Sequence, residues 1–107
     1  MADEALLVLS TFPDAATARR ISRQLVEEKC AACANLLGGV ESIYWWEGKV
    51  QNGNETLVFF KTTASRYEAL ETTLRQLHPS EVPEIIAFCV AQGLPEYLRW
   101  VSKNCPG

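Results

Sequence analysis

Long apolar runs are absent from this 107-residue sequence: none approaches the ~18 residues that a membrane span requires. The first residues, Met1–Glu4, are acidic, and the apolar run behind them, Ala5–Leu9, is too short for a secretory signal. Basic residues are outnumbered and scattered, with ten Lys and Arg against thirteen Asp and Glu and a formal net charge of -3. Because phosphate binding relies on clustered Lys and Arg, we expect no nucleic-acid partner. We also expect a cytoplasmic protein that has no membrane partner.

Signatures of catalysis are equally sparse. The sequence has one histidine, and it contains neither a glycine-rich phosphate loop nor a nucleophile-elbow motif. Ser10 and Thr11 have no identifiable base to activate them. We therefore predict that the protein is not an enzyme.

Four cysteines are present, but without a secretory signal the reducing cytosol favours free thiols over a disulfide framework. Cys89 lies in an apolar strand pattern and is predicted to be buried, whereas Cys105 lies in the last residues of the chain and is predicted to be exposed. Cys30 and Cys33 have the C-x-x-C spacing of redox and zinc sites. They lie where a predicted helix ends, and the dipole there disfavours a thiolate, so we expect structural packing instead.

Three segments carry apolar side chains at consecutive positions: Leu6–Leu9, Leu57–Phe60 and Ile85–Val90. Consecutive residues of a strand point to opposite faces of the sheet, so both faces of these strands are apolar. The helices of so short a chain can cover one face. The other face needs a different cover, and the simplest is another copy of the chain, so we expect an obligate oligomer.

Periodicity and turn signals predict strand, helix, strand, strand, helix, strand and a short final helix within a single domain over residues 1–107. This order is the split βαβ pattern of an α+β, ferredoxin-like fold, βαββαβ plus a short C-terminal helix, with one antiparallel sheet and both long helices on one side. The predicted segments are Leu6–Phe12, Asp14 to Lys29 or Cys30, Ala34–Trp46, Glu55–Thr62, Ser65–His78, Glu84–Ala91 and a helix that begins at Pro95.

Local signals also place the turns and caps. Asp14 is a suitable N-cap for the first helix, and Ser65–Glu68 forms a capping box for the second. Gly38-Gly39 indicates a bulge in the second strand. Of the two turn signals that follow, we place the hairpin tip at Glu47–Lys49 and expect Asn52–Asn54 to form an irregular bulge in the returning strand.

Several spaced motifs make the chain similar to a known family. They are Cys33-Ala34-Asn35, Tyr44-Trp45-Trp46-Glu47-Gly48-Lys49, Lys61-Thr62, His78-Pro79 followed by Val82-Pro83-Glu84, and Tyr97-Leu98-x-Trp100. Together these motifs resemble the CutA divalent-cation tolerance proteins over nearly the whole chain. The resemblance implies a ferredoxin-like homotrimer, built much like the PII nitrogen-regulatory signalling proteins, in which strands of neighbouring subunits join at their edges. It also implies a link to copper and divalent-metal tolerance and no known catalytic reaction.

The same resemblance identifies His78 as the candidate metal ligand. In some family members a copper site is attributed to a cysteine of the first strand and two adjacent histidines before a proline, and the matching residues here are Ser10, Leu77 and His78. A single imidazole without a thiolate is a weak soft-metal site, so we expect at most weak binding of Cu(II) or another divalent cation. Glu81 or Glu84, or carboxylates from another subunit, are candidate co-ligands. The alternative is a histidine favoured at a helix end by the dipole.

A small-molecule pocket at the subunit boundary is a further hypothesis. Lys61 interrupts an apolar strand and Glu84 begins another, so each is a candidate inward charge that awaits a partner or ligand. The predicted ligand-binding residues, whose aromatic members supply walls, are Lys61, Glu84, Trp46, Tyr97, Trp100 and Cys33. The alternatives are packing of the rings in a core or interface and a weak salt bridge between Lys61 and Glu84.

These observations favour a trimeric metal-tolerance or signalling module that responds to copper and other divalent cations. The alternatives are a trimer that binds a small molecule and a trimer that anchors a partner protein. Apart from a weakly bound cation, no cofactor is expected.

Overall fold

The computed structural model describes residues 3–107, which form an antiparallel four-stranded sheet and three helices. The elements are β1 (Ala5–Phe12), α1 (Ala15–Glu27), β2 (Cys33–Trp46), β3 (Lys49–Thr63), α2 (Ala64–Leu77), β4 (Ile86–Cys89) and α3 (Pro95–Asn104). The strand order β2-β3-β1-β4 confirms the predicted α+β, ferredoxin-like arrangement. None of the helices in this part of the chain is long and apolar enough to cross a membrane.

The core lies between α1, α2 and one face of the sheet. Its largest buried side chains come from both helices and from the central strands β1 and β3: Val8, Phe12, Ile21, Leu25, Val58, Phe60, Leu70 and Leu74. Because both helices contribute to one cluster, they lie on the same side of the sheet, as predicted. α3 packs separately, with Val101 and Cys105 against Ala32.

The two long helices begin differently. Asp14 caps α1 as predicted, because its carboxylate accepts a hydrogen bond from the Thr17 N–H at 2.7 Å. The predicted capping box of α2 is wrong: the N-cap is Thr63, which makes no side-chain cap hydrogen bond. Asp3 takes that role instead, since its carboxylate accepts hydrogen bonds from the hydroxyl and the backbone N–H of Ser65. The bond from the Ser65 hydroxyl is the main cause that lowers the pKa of Asp3.

β2 and β3 form a long hairpin. Its tip is the two-residue turn Glu47-Gly48, in which both residues have positive φ, 50° and 76°, as a type I′ turn requires. This confirms the predicted tip. The predicted irregularity at Asn52–Asn54 is wrong, because these residues pair in register with residues 41–43 of β2. The bulge at Gly38-Gly39 is confirmed: the register with β3 shifts there, and Gly39 has a positive φ of 72°.

Two elements are shorter than predicted. α1 ends at Glu27, and Lys29 just beyond it has a φ of 60°, which a continuing helix does not allow. β4 covers Ile86–Cys89 instead of Glu84–Ala91, because only these four residues pair with β1. Glu84 therefore lies in the loop before the strand.

The burial of two cysteines is the reverse of the prediction. Cys89 is exposed, because β4 is an edge strand, and Cys105 is fully buried, because the end of α3 folds back over β3. Cys30 is buried in the core, in line with the predicted packing role, and Cys33 is half-buried. All four thiols are free.

The sheet face opposite α1 and α2 is apolar, as predicted. Leu7 of β1 and Phe59 of β3 are half-buried there, and Phe88 of the edge strand β4 is 50% exposed. Beyond the bulge the β2–β3 hairpin projects past the rest of the sheet, and the molecule is elongated, with extents of 46 × 25 × 21 Å. The part of the hairpin that projects, residues 40–46 paired with residues 49–55, is called the arm below. The fold therefore leaves apolar surface on the open face and on the projecting arm.

Candidate functional site

The residues singled out from the sequence separate into two groups in the structure. His78, Glu84 and Trp46 line a cavity of about 590 Å³ between the β2–β3 hairpin and the loop that follows α2. The second group, at the other end of β2 and against α3, consists of Cys33, Lys61, Tyr97 and Trp100. Within the single chain the predicted residues therefore do not form one pocket.

His78 joins the loop after α2 to the end of β1. Its side chain is 8% exposed, and its ring stacks on Phe12 with centroids 4.7 Å apart and an interplanar angle of 24°. Nδ1 accepts a hydrogen bond from the Ser80 N–H at 3.0 Å, and Nε2 lies 2.7 Å from the carbonyl oxygen of Thr11. Because an amide N–H only donates and a carbonyl only accepts, the ring is the neutral tautomer with its proton on Nε2.

The three positions that the resemblance matches with the copper ligands of some CutA proteins do not fit a resident copper ion. Ser10 is fully buried on the helix-covered face of the sheet, and its hydroxyl has no hydrogen-bond partner among residues 3–107. Leu77 offers no donor atom, and neither ring nitrogen of His78 has a free lone pair in this geometry. Whether His78 contacts a cation stays a prediction, and its geometry favours the structural alternative.

Carboxylates surround the same cavity without converging. Glu81 and Glu84 of the loop line it on one side, and Glu55 of β3 lines it together with Tyr44 and Trp46 on the hairpin. Across residues 3–107, no three His, Cys, Asp or Glu side chains come close enough together to hold a metal ion. The cavity thus has an acidic rim and an aromatic wall, but the described residues of the chain supply no complete ligand set for a metal.

The second group is organised by an amide that the sequence prediction missed. Lys61 Nζ donates to Asn35 Oδ1 at 2.5 Å, and the Cys33 thiol donates to the same oxygen at 3.6 Å. The Lys61 ammonium also lies 5.9 Å from the centroid of the Tyr97 ring, at a distance typical of a cation–π contact. Asn35 was identifiable as part of the Cys33-Ala34-Asn35 motif, because residues two apart in a strand share a face.

Two aromatic rings complete this group. Tyr97 and Trp100 of α3 stack with centroids 5.6 Å apart and an interplanar angle of 25°. Both rings remain partly open to solvent, at 40% and 44% exposure. The predicted alternative of a Lys61–Glu84 salt bridge is wrong for the single subunit, since the one ion pair within residues 3–107 joins Arg99 and Glu96.

Comparisons with known proteins agree on one family. The sequence model of the family described as CutA1 divalent ion tolerance protein matches residues 6–104. The divalent-cation tolerance protein CutA of Thermus thermophilus is 44% identical over 98 residues, which cover 92% of this chain and 95% of that protein. The Citrobacter koseri protein of the same name is 42% identical over 94% of this chain and 88% of its own length. The crystal structure of CutA from Xylella fastidiosa is 43% identical with a TM-score of 0.93, and the match covers 95% of this chain and 98% of that one.

Proposed function

The chain belongs to the CutA1 divalent ion tolerance family, and from that premise we propose that it works as a homotrimeric binding and signalling module in divalent-cation tolerance. The names of its relatives describe tolerance to divalent cations and specify no reaction. The sparse catalytic signatures of the sequence and the hydrogen bonds at both ring nitrogens of His78 support a module that is not an enzyme. The cytoplasmic location stays a prediction.

The apolar surface that one chain leaves open is the observation that carries the association of copies, and the resemblance to the CutA proteins supplies the proposed number of three. On the projecting arm, Ile43 is 71% exposed and Trp45 is 73% exposed, and on the open sheet face Phe88 is 50% exposed. At about 25 cal/mol per Å², burying ~400 Å² of such surface on each subunit contributes about 10 kcal/mol before the entropic cost of association. A subunit that stays alone lacks this stabilisation, so we expect copies of the chain to associate and bury these apolar surfaces against each other.

The arm itself supports the same conclusion. Beyond the bulge, residues 40–46 pair with residues 49–55 and form a two-stranded ribbon. A two-stranded ribbon is at best marginally stable in water without a further strand or a covered face. Tyr44 and Trp46 point to one face of this ribbon, and Ile43 and Trp45 point to the other, so both faces are suited to packing against a neighbour.

The proposal does not require a resident metal at His78. We propose that the response to copper and other divalent cations is a property of the assembled trimer, in which carboxylates of neighbouring subunits are brought together. Glu81 and Glu84 are exposed on the rim of the His78 cavity and are the side chains of one subunit best placed for such sharing.

Light scattering coupled to size-exclusion chromatography tests the trimer. We expect the wild type to have three times the 11.9 kDa mass of one chain at micromolar concentration. Phe88→Glu places a charge on the open face and should dissociate the assembly, whereas Gln76→Glu adds the same charge at an exposed position of α2 and should not. A folded wild-type monomer, or equal masses for the two variants, would contradict the proposal.

A further inference from the structure

We propose that Lys61, Asn35 and the stacked pair Tyr97 and Trp100 bind a small organic anion that carries a flat apolar group, of which an aromatic carboxylate is the simplest example. This site goes beyond divalent-cation tolerance, because its ligand is an anion. All four residues belong to one chain, but Lys61 shares the open sheet face with Phe88, so the inference rests on the proposed trimer leaving the end of that face next to α3 accessible.

The charge of Lys61 is the first argument. The side chain projects from the middle of the open apolar face, where its strand neighbours are Leu7 of β1 and Cys33 of β2. Within the described chain its ammonium contacts the Asn35 amide oxygen and the face of Tyr97, and no carboxylate pairs with it. A half-buried ammonium on an apolar surface lacks the compensation that an anion supplies, so the position favours binding of a negative group.

The stacked pair of Tyr97 and Trp100 is the second argument, and it indicates that the ligand carries a flat apolar group. Tyr97 and Trp100 stack on each other next to the ammonium, and each leaves about two fifths of its surface open. α3 holds them in place, because Val101 and Cys105 of the same helix are buried against Ala32. A fixed aromatic surface beside a cation is suited to a ligand that joins an anionic group to a planar apolar one.

The surroundings of Trp100 add positive charge. A groove of about 390 Å³ runs beside this ring along the free edge of β2, and Arg19 and Arg23 of α1 line it together with Leu36. Glu27 is the one acidic residue of that lining. Cationic side chains therefore lie on both sides of Trp100, and the contact atom itself is a single ammonium. A single ammonium acts as a point charge towards an anionic group, and the adjoining aromatic surface is what favours an anion that carries a flat ring.

Titration by NMR chemical-shift perturbation at constant ionic strength tests the site, with benzoate as the probe. Benzamide keeps the ring and removes the charge, and acetate keeps the charge and removes the ring. We expect saturable benzoate binding with shifts at the backbone of residues 33–35, 61 and 97–100, and at least tenfold weaker binding of both comparison compounds. Equal binding of benzoate and benzamide would overturn the role of the ammonium.

Variants separate the site from general electrostatics. We expect Lys61→Met to weaken benzoate binding at least tenfold, Lys61→Arg to retain most of it, and Lys103→Met, a change of an exposed lysine on α3, to leave it unchanged. Tyr97→Leu should weaken benzoate binding but not acetate binding, and it keeps the test decisive if Lys61→Met does not fold. Unchanged affinity in Lys61→Met would overturn the proposal. The proposal would also be overturned if the wild type did not bind benzoate and the Lys61→Met variant no longer had the oligomeric mass of the wild type. That pair of results would mean that a carboxylate of a partner subunit neutralises the ammonium.

Discussion

Replacing His78 with alanine removes three contacts that hold the loop after α2 against β1. The ring donates to the Thr11 carbonyl at 2.7 Å, accepts from the Ser80 N–H at 3.0 Å and stacks on Phe12 at 4.7 Å. Each hydrogen bond contributes about 0.5–1.5 kcal/mol, and the stacked pair contributes about as much. We therefore expect His78→Ala to lower the free energy of unfolding by roughly 2–4 kcal/mol, a large share of the stability of a domain of this size.

Guanidinium denaturation at one fixed protein concentration measures this loss, because the stability of an oligomer depends on its concentration. His78→Asn is the informative second variant. Its side-chain oxygen can replace Nδ1 as the acceptor for the Ser80 N–H, so we expect it to recover part of the loss. Gln76→Ala, an exposed change in the last turn of α2, is the control and should alter stability by no more than about 0.5 kcal/mol.

Calorimetric titration of Cu(II) into the wild type and His78→Ala decides between a structural ring and a metal ligand. Because both ring nitrogens are hydrogen-bonded, we expect the two isotherms to be the same. An alanine variant that is as stable as the wild type and no longer takes up Cu(II) would refute the structural account. In that case the hydrogen bonds to Thr11 and Ser80 would contribute no net stability, and the ring would serve as a ligand.

Two further predictions concern the cap of α2 and the bulge of β2. Asp3→Asn should be less stable than the wild type at pH 7, because the hydrogen bond from the Ser65 hydroxyl stabilises the Asp3 carboxylate and lowers its pKa. This contribution to the free energy of unfolding is present at pH values above 3.8, the ordinary pKa of the carboxyl group, and is lost as the pH falls below 3.8. Denaturation curves between pH 7 and pH 2 check this, and a difference that stays constant with pH would contradict it. Gly39→Ala should destabilise the protein by about 1–2 kcal/mol, because an L side chain is strained at its φ of 72°. Gly38→Ala, also in open space but without a positive φ, is the matched control in thermal unfolding, and equal effects of the two would show that φ is not the cause.

Features that depend on a few neighbouring residues were predictable. The tip at Glu47-Gly48, the cap at Asp14 and the start of α3 at Pro95 follow from chemistry within three or four positions, and all three are confirmed. The cap of α2 was not predictable in this way. Its carboxylate comes from Asp3, 62 residues away from Ser65, and a local capping box in the sequence concealed it.

Burial and site membership depended on long-range pairing. Cys89 is exposed because β4 forms an edge of the sheet, and no property of its apolar segment reveals which strand lies at the edge. Lys61 was recognised as an unusual charge, but its amide partner Asn35 follows from the pairing of Cys33 with Lys61 in the β2–β3 register. The contact between His78 and the Thr11 carbonyl spans 67 residues and likewise depends on how α2 packs on β1.

Composition and spacing were sufficient for the element order, the fold class and a sheet with two apolar faces, since each strand carries its own pattern of side chains. The packed chain was needed to show which of those side chains meet. Register and the position of each strand within the sheet result from many weak contacts between distant segments, and no single segment encodes them. The separation of His78 from Lys61 into two different sites is the consequence that matters most for function.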